Sequence, residues 1–336
     1  MQIPQPYLLF IGDVTDPLAA KTARGIFAWR PEQCIGQLRL ASATVALDLP
    51  DVSIEQAKSA GAKTLVLGTA NAGGFLPEHW QQTIRQAICA GMNVASGLHQ
   101  RLNDIAELRD LAKTHQVQLF DVRHSEQALR VGTGLPRTGH RVLTVGTDCA
   151  VGKMYTSLAL EKAMLQLGMK AQFRATGQTG VLVSGEGLSI DAVVADFISG
   201  AVEQIAPANE PDHWDIIEGQ GSLFHPSYAG VSLGLLHGAQ PQWLVMCHEM
   251  GRPHTRHLPH HPLVDIAECV AENLRVAKVT SPEIQLAGFA INTSQFSDQE
   301  AREFCQQLSE RFGVPATDPV RYGIDDIACY LRNAHE

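Results

Sequence analysis

The run Arg141-Val142-Leu143-Thr144-Val145-Gly146-Thr147-Asp148-Cys149-Ala150-Val151-Gly152-Lys153 constrains the fold of this chain more than any other. Its first residues, 141–145, read as a short buried strand. Over 154–167 apolar residues recur at helical spacing (Leu158, Ala159, Ala163, Leu165), and Gly168 ends the run. A strand, a turn bounded by glycines, a lysine and a helix together make a cradle for an anion. Glycine lets the backbone approach a ligand closely. The free N–H groups and the dipole at a helix start both favour negative charge. Lys153 adds a mobile cation suited to terminal phosphates.

Two features depart from the common phosphate loop. Five residues separate Gly146 from Gly152, where four are usual, and Met154 stands where a Ser or Thr hydroxyl usually binds magnesium. A thioether is a poor ligand for a hard cation. Thr156 and Ser157 lie further along the helix, where the geometry turns their hydroxyls away from that direction. The expectation is a site that binds phosphate through Gly146, Thr147, Cys149, Ala150, Val151, Gly152, Lys153 and Met154. ATP turnover is not favoured, and no metal ion is expected to be obligatory.

The chain has 336 residues, enough for two domains of ordinary size, and 45% hydrophobic residues to fill their cores. A formal net charge of −9 speaks against nonspecific nucleic-acid binding, which needs a basic footprint. No apolar run is long enough to span a bilayer, and the first residues lack the pattern of a secretory signal. The seven cysteines are scattered without a Cys-x-x-Cys pair, which fits reduced thiols in the cytoplasm. Expected partners are a small-molecule substrate and a further copy of the chain as a homo-oligomer, not nucleic acid or membrane.

Strand-like and helix-like segments alternate along both halves. In the first, 7–12, 45–48, 63–68, 92–96 and 118–122 read as strands, and 77–90 and 102–114 as helices. The turn-rich stretch 131–139 marks a boundary, giving domains 1–135 and 136–336. In the second, 142–145, 172–175, 214–218, 242–246 and 285–291 read as strands. The helices there are 153–167, 190–205, 264–278 and 298–312. This is an α/β chain with doubly wound parallel sheets, whose ligands sit beyond the carboxyl ends of the strands.

The polar motifs of the second half fall at those strand ends. Glu218, in Asp215-Ile216-Ile217-Glu218-Gly219-Gln220-Gly221-Ser222, could hold magnesium, orient a substrate amine, or cap a turn. Arg174-Ala175-Thr176-Gly177-Gln178-Thr179-Gly180 suits a loop around phosphate or a small polar substrate. The stretch from His248 to His261 is rich in histidine, but Pro253 and Pro259 exclude the helix on which paired metal ligands would sit. A loop over the site is the better reading, with His248 or Glu249 as acid/base and Arg252 gripping a carboxylate. His225 is a further acid/base candidate, and each histidine could instead fix its loop. In the first half, Asn71-Ala72-Gly73-Gly74, Ser96-Gly97-Leu98-His99 and Asp121-Val122-Arg123-His124 follow strands and could line a cleft.

Gly146-Thr147-Asp148 with Val151-Gly152-Lys153, followed by Glu218-Gly219-Gln220-Gly221, resembles the dethiobiotin synthetase group, in the same order along the chain. That resemblance implies a role for Asn292, in Phe289-Ala290-Ile291-Asn292-Thr293, in holding a nucleobase. An amide side chain offers the donors and acceptor an adenine edge needs, though an Asx turn accounts for Asn292 equally well.

The whole chain resembles the two-domain family that includes bacterial D-glutamate N-acetyltransferases. The carrying segments are 21–25, 96–99, 146–154, 176–180 and Glu218-Gly219-Gln220-Gly221-Ser222-Leu223-Phe224-His225-Pro226. The Lys153-Met154 pair recurs there, whereas members usually have Thr where Tyr155 stands. The resemblance implies a Rossmann-like N-terminal domain and a P-loop NTPase-like C-terminal domain. It also implies transfer of acetyl from acetyl-CoA to the amine of D-glutamate. The phosphates of CoA would then occupy the loop, and no magnesium hydroxyl would be needed. Glu218, His225, His248 and Asp148 are the candidate bases. Lys153 or loop N–H groups could hold the oxyanion. Arg174, Arg252 and Thr179 are the candidates for the substrate. Cys149 could accept the acetyl group at a helix N-terminus, where thiol pKa values fall, although direct transfer is preferred. An ATP-dependent ligase or kinase for a small carboxylate or amine is the alternative activity. A nucleotide- or CoA-responsive regulatory module is the non-enzymatic one.

Overall fold

The computed structural model describes residues 1–17, 19–69, 75–124 and 128–335. The Asn71–Gly74 motif lies outside the described residues. The chain forms two compact units, Met1–Gln127 with Gly177–Ala192, and Ala128–Thr176 with Val193–Glu336.

In chain order the first unit contains β1 (Tyr7–Gly12), α1 (Lys21–Trp29), β2 (Cys34–Arg39), α2 (Ile54–Ser59), β3 (Thr64–Leu67) and α3 (Glu78–Cys89). Then come β4 (Asn93–Ser96), α4 (Ala106–Thr114) and β5 (Leu119–Asp121). The strands pair in parallel in the order β2-β1-β3-β4-β5. Leu8, Phe10, Leu65, Leu67 and Val94 share a core with Ile54 of α2, Ile84 and Ile88 of α3 and Leu108 of α4. Alternation along the strands turns Leu9, Ile11 and Val66 to the other face.

Residues 45–48, expected as a strand, are not one. The buried amide of Gln37 on β2 holds this segment as a loop, donating to the carbonyls of Leu47 and Leu49 and accepting from Leu47 N–H. The strand is β2 itself, which the sequence reading passed over. The expected helix over 102–114 is a short turn at Leu102–Asp104 followed by α4.

The second unit opens with β6 (His140–Gly146), α5 (Lys153–Gln166) and β7 (Lys170–Arg174). The chain then returns to the first unit for α6 (Gln178–Ser184), where a loop was expected. There α6 packs on α1. Ser189 Oγ donates to Val122 O at 3.0 Å, and Arg123 pairs with Asp191 at 2.5 Å. A single division at 135/136 therefore does not describe the units. The first ends its main stretch at Gln127 and takes back a later segment.

The second unit continues with α7 (Ile198–Ile205), β8 (His213–Ile217), α8 (Ala229–Ala239), β9 (Trp243–Glu249) and α9 (Ile266–Ala277). It closes with β10 (Gln285–Asn292), α10 (Asp298–Phe312), β11 (Ala316–Thr317) and α11 (Asp325–His335). The helix expected over 190–205 is two tight turns and then α7. The sheet is parallel, in the order β11-β10-β9-β6-β8-β7. On one face α5 and α11 share a core with Val142, Trp214, Ile216 and Val245. On the other, Phe312 of α10 packs on Phe289 with ring centres 4.8 Å apart. After β6 the chain runs out to β7, comes back to β8, then crosses to β9 on the far side of β6. The loops after β6, β8 and β9 therefore meet at a switch point, where doubly wound sheets place their ligands. Among the described residues no helix is long and apolar enough to cross a membrane.

Candidate active site

The loop after β6 is fixed from beneath by its neighbours. Gly146 closes β6, and Thr147 N–H donates to Cys247 O of β9 at 3.1 Å. Gly152, at φ +99°, starts α5 in the left-handed region, where a side chain would strain the backbone. Ala150 also has positive φ, 53°. The second strand end comes close because Gly219 has no side chain. A Cβ there would lie 1.7 Å from Thr144 O and 2.9 Å from Lys153 Cδ. Gly219 N–H instead donates to Thr144 Oγ1 at 2.9 Å, and Ser222 Oγ donates to Thr147 O at 3.1 Å.

Asp148 lies at the centre and is fully buried. Its Oδ1 accepts from Cys149 N–H at 2.6 Å. Its Oδ2 accepts from Arg252 Nη1 and from Arg256 N–H, each at 2.7 Å. Arg252 also donates to Cys149 O at 2.8 Å and pairs with Glu249. The guanidinium offered by the sequence as a carboxylate grip is thus the clamp of the loop. Asp148 holds that clamp through Oδ2 while Oδ1 accepts from Cys149 N–H, which leaves it poorly placed to take a proton from substrate.

Lys153 is buried, and its Nζ donates to Asp148 O at 2.8 Å. Burial pulls its pKa below the ordinary lysine value, although the thiols of Cys247 and Cys149 and the Asp148 carboxylate oppose this. Cys149 lies four positions before α5 rather than in its first turn. Burial pushes its thiol above the ordinary value against the pull of Lys153, Arg256 and Arg252, so the expected low thiol pKa is not found.

Glu218 is buried just beyond β8, and its Oε2 accepts from Thr176 N–H at 3.0 Å. Thr176 Oγ1 donates to Glu218 O at 2.6 Å, and Gln220 Nε2 reaches the same hydroxyl at 3.3 Å. His248, near the end of β9, contacts Thr147 Oγ1 through Nδ1 at 2.9 Å. Burial, then repulsion from Arg252, lower its pKa to about 4, so it is neutral and weakly basic at pH 7. His225 is buried behind the loop, with Nε2 4.0 Å from Asp148 Oδ1.

Three candidates have other partners or neighbours in the fold. Arg174 Nε donates to the buried Asp215 at 2.7 Å. Asn292 Oδ1 accepts from Ser294 N–H at 3.1 Å, which is the Asx turn. Thr179 belongs to the first unit, beside Gly25 of α1. The sequence reading missed Arg256, whose side chain is exposed and whose charge acts on Cys149. Only the folded loop brings it there.

Among the described residues, Asp148, Cys149 and His225 form the one group with metal-binding donors, their ligand atoms within 4.8 Å of one another. The ring of His225 does not fit that use. Its Nδ1 accepts from Ser227 N–H at 3.2 Å. A histidine that binds a metal through one nitrogen normally donates N–H from the other.

The family model of the DUF1611_C P-loop domain matches residues 130–328, and that of the DUF1611_N Rossmann-like domain matches 37–125. The chain belongs to the DUF1611 family. A DUF1611 family protein from Anabaena variabilis ATCC 29413, solved at 2.30 Å resolution, aligns over 98% of this chain and 100% of its own. The TM-score is 0.83 and the identity 33%. A relative from Pseudoalteromonas sp, described as D-glutamate N-acetyltransferase, is 52% identical over 98% of this chain and 100% of its own. Another of that description, from Tritonibacter scottomollicae, is 45% identical over 96% of each.

Proposed function

We propose that this chain is a D-glutamate N-acetyltransferase that takes its acetyl group from acetyl-CoA. The observation that carries the reading is 52% identity, over essentially the whole of both chains, to a protein of that activity. The site supports it. A loop at a helix start suits the phosphates of CoA, and Met154 removes the hydroxyl that a magnesium–ATP site uses.

Acetyl transfer requires a neutral amine, because an ammonium has no lone pair to attack with. Glu218 is the base this arrangement favours. Asp148 is held by three donors, and His248 is a weak base. The amine nitrogen then attacks the thioester carbon and gives up its second proton as the carbon–sulfur bond breaks, and the CoA thiolate leaves as the thiol, the net recipient of that proton. Arg256 is the available cation for a substrate carboxylate.

Calorimetry with acetyl-CoA, ADP and ATP–magnesium tests the cofactor. Acetyl-CoA should bind, and Lys153→Ala should weaken it by about 2 kcal/mol through loss of a charge-assisted phosphate contact. Turnover should survive EDTA. Phosphate release dependent on substrate would instead mark a ligase or kinase. For the base, Glu218→Gln should cut kcat by roughly 10²–10⁴ with acetyl-CoA still bound. A rise in KM alone would make Glu218 a binding residue.

A further inference from the structure

His225 sits in the segment after β8 that Ser222 ties to the phosphate loop. Its ring is 3% exposed and packs on Tyr228, with ring centres 4.5 Å apart. Nδ1 faces Ser227 N–H at 3.2 Å and accepts its hydrogen bond. Turning the ring over would place a C–H against that N–H and lose the bond. The neutral ring therefore carries its proton on Nε2. This Nε2–H is buried and without a hydrogen-bond partner. Nε2 lies 4.0 Å from Asp148 Oδ1, beyond hydrogen-bond reach, and close to Cys149.

A base acting through Nε2 must begin with its proton on Nδ1. Here that would set Nδ1–H against Ser227 N–H, two donors face to face. The pairing of His225 with Cys149 as base and nucleophile fails for the same reason. What Nε2–H lacks is an acceptor. A substrate ammonium is a donor and cannot serve. A phosphate arrives fully charged, and a single N–H beside the Asp148 carboxylate cannot meet that charge. A carbonyl oxygen is neutral on arrival and gains charge only in the transition state, where a preplaced donor has its effect on rate.

Resting on the acetyl-transfer reading, we propose that His225 is a catalytic residue that donates its Nε2–H to the thioester carbonyl oxygen as the tetrahedral intermediate forms. It takes no proton.

Two amide substitutions separate this from the alternatives. His225→Asn keeps an acceptor near Nδ1 for Ser227 but has nothing at the Nε2 position. His225→Gln reaches the Nε2 position with an amide N–H and has no basicity. Relative to the unaltered enzyme, His225→Asn should lose about 10²–10³ in kcat with acetyl-CoA affinity unchanged. His225→Gln should be at least about tenfold more active than His225→Asn, since it restores the donor. Full activity in His225→Asn would make the histidine merely structural and overturn the proposal. Equal loss in both variants would also overturn it, in favour of a base. The ¹⁵N shifts of His225 in the full-length enzyme report the tautomer without turnover. A proton on Nδ1 defeats the proposal while leaving the acetyl-transfer reading intact. If the unaltered enzyme fails to acetylate D-glutamate, the acetyl-transfer reading falls and this assignment falls with it.

Discussion

Asp148 is fully buried, and its charge is tolerable only because Arg252 meets it at 2.7 Å beside two backbone N–H groups. Removing one partner of such a pair leaves an uncompensated buried charge, which typically costs 3–5 kcal/mol. Arg252→Ala should therefore lower unfolding stability in urea by about 3 kcal/mol. Arg252→Lys should recover only part of this, because an ammonium cannot span the carboxylate, the Cys149 carbonyl and Glu249 as a planar fork does. If Arg252 gripped the substrate instead, both variants would unfold like the parent and show only a raised KM. The sequence could nominate Arg252 by its charge and its place after a strand. It could not show that Asp148, far away along the chain, uses up that charge. Arg256 went unnoticed for the complementary reason: only the path of the loop after β9 brings its backbone N–H onto Asp148.

The inner strand β9 delivers His248 to the loop and, by burying it, makes that end of the sheet sensitive to acid. Its pKa lies near 4 in the fold against an ordinary value of 6.5. The unfolded chain therefore binds the proton more readily across that interval. Stability is complete above about pH 6.5 and is lost as pH falls toward 4, by up to about 3 kcal/mol for the full interval. Thermal melts of His248→Gln should show a flatter pH dependence between those values than the parent. Equal slopes would mean that His248 titrates normally. The strand itself was plain from its apolar run, as were β1, β3, β6, β8 and β10, because a strand buried on both faces needs little polarity. β2 was not, since Gly36 and Gln37 interrupt its pattern and the Gln37 amide works inward on a loop. α8 was also missed. Three glycines in Ala229–Ala239 argue against a helix at about 1 kcal/mol each. Tertiary packing reverses that judgement. Gly238 lets the helix close on the Ser199 backbone, where a Cβ would lie 2.3 Å from its carbonyl oxygen, and Gly234 leaves room for the Ile198 side chain.

At the scale of the whole molecule, the two sheets were legible as two alternating series, but the route of the chain was not. Gln178-Thr179-Gly180 reads as loop chemistry after a strand, and nothing local in it says that α6 belongs with α1, more than a hundred residues earlier. The consequence is that the first unit cannot be excised with one cut. A fragment spanning 1–135 lacks α6 and loses Val181, Leu182 and Val183, which are buried in the intact chain. It also lacks Asp191, the partner of Arg123, and Ser189, which donates to Val122 O. Burial of one such aliphatic side chain is worth about 1.5–3 kcal/mol, so the loss is a large share of the stability of a unit this size. Appending residues 177–192 to that fragment through a flexible linker should restore these contacts. The appended fragment should melt about 3 °C above the bare one for each 1 kcal/mol recovered. A Leu182→Asp change in the appended segment should cancel the gain. If the bare fragment melts cooperatively at the same temperature as the appended one, α6 contributes nothing to the first unit, and the division at 135/136 is the correct one.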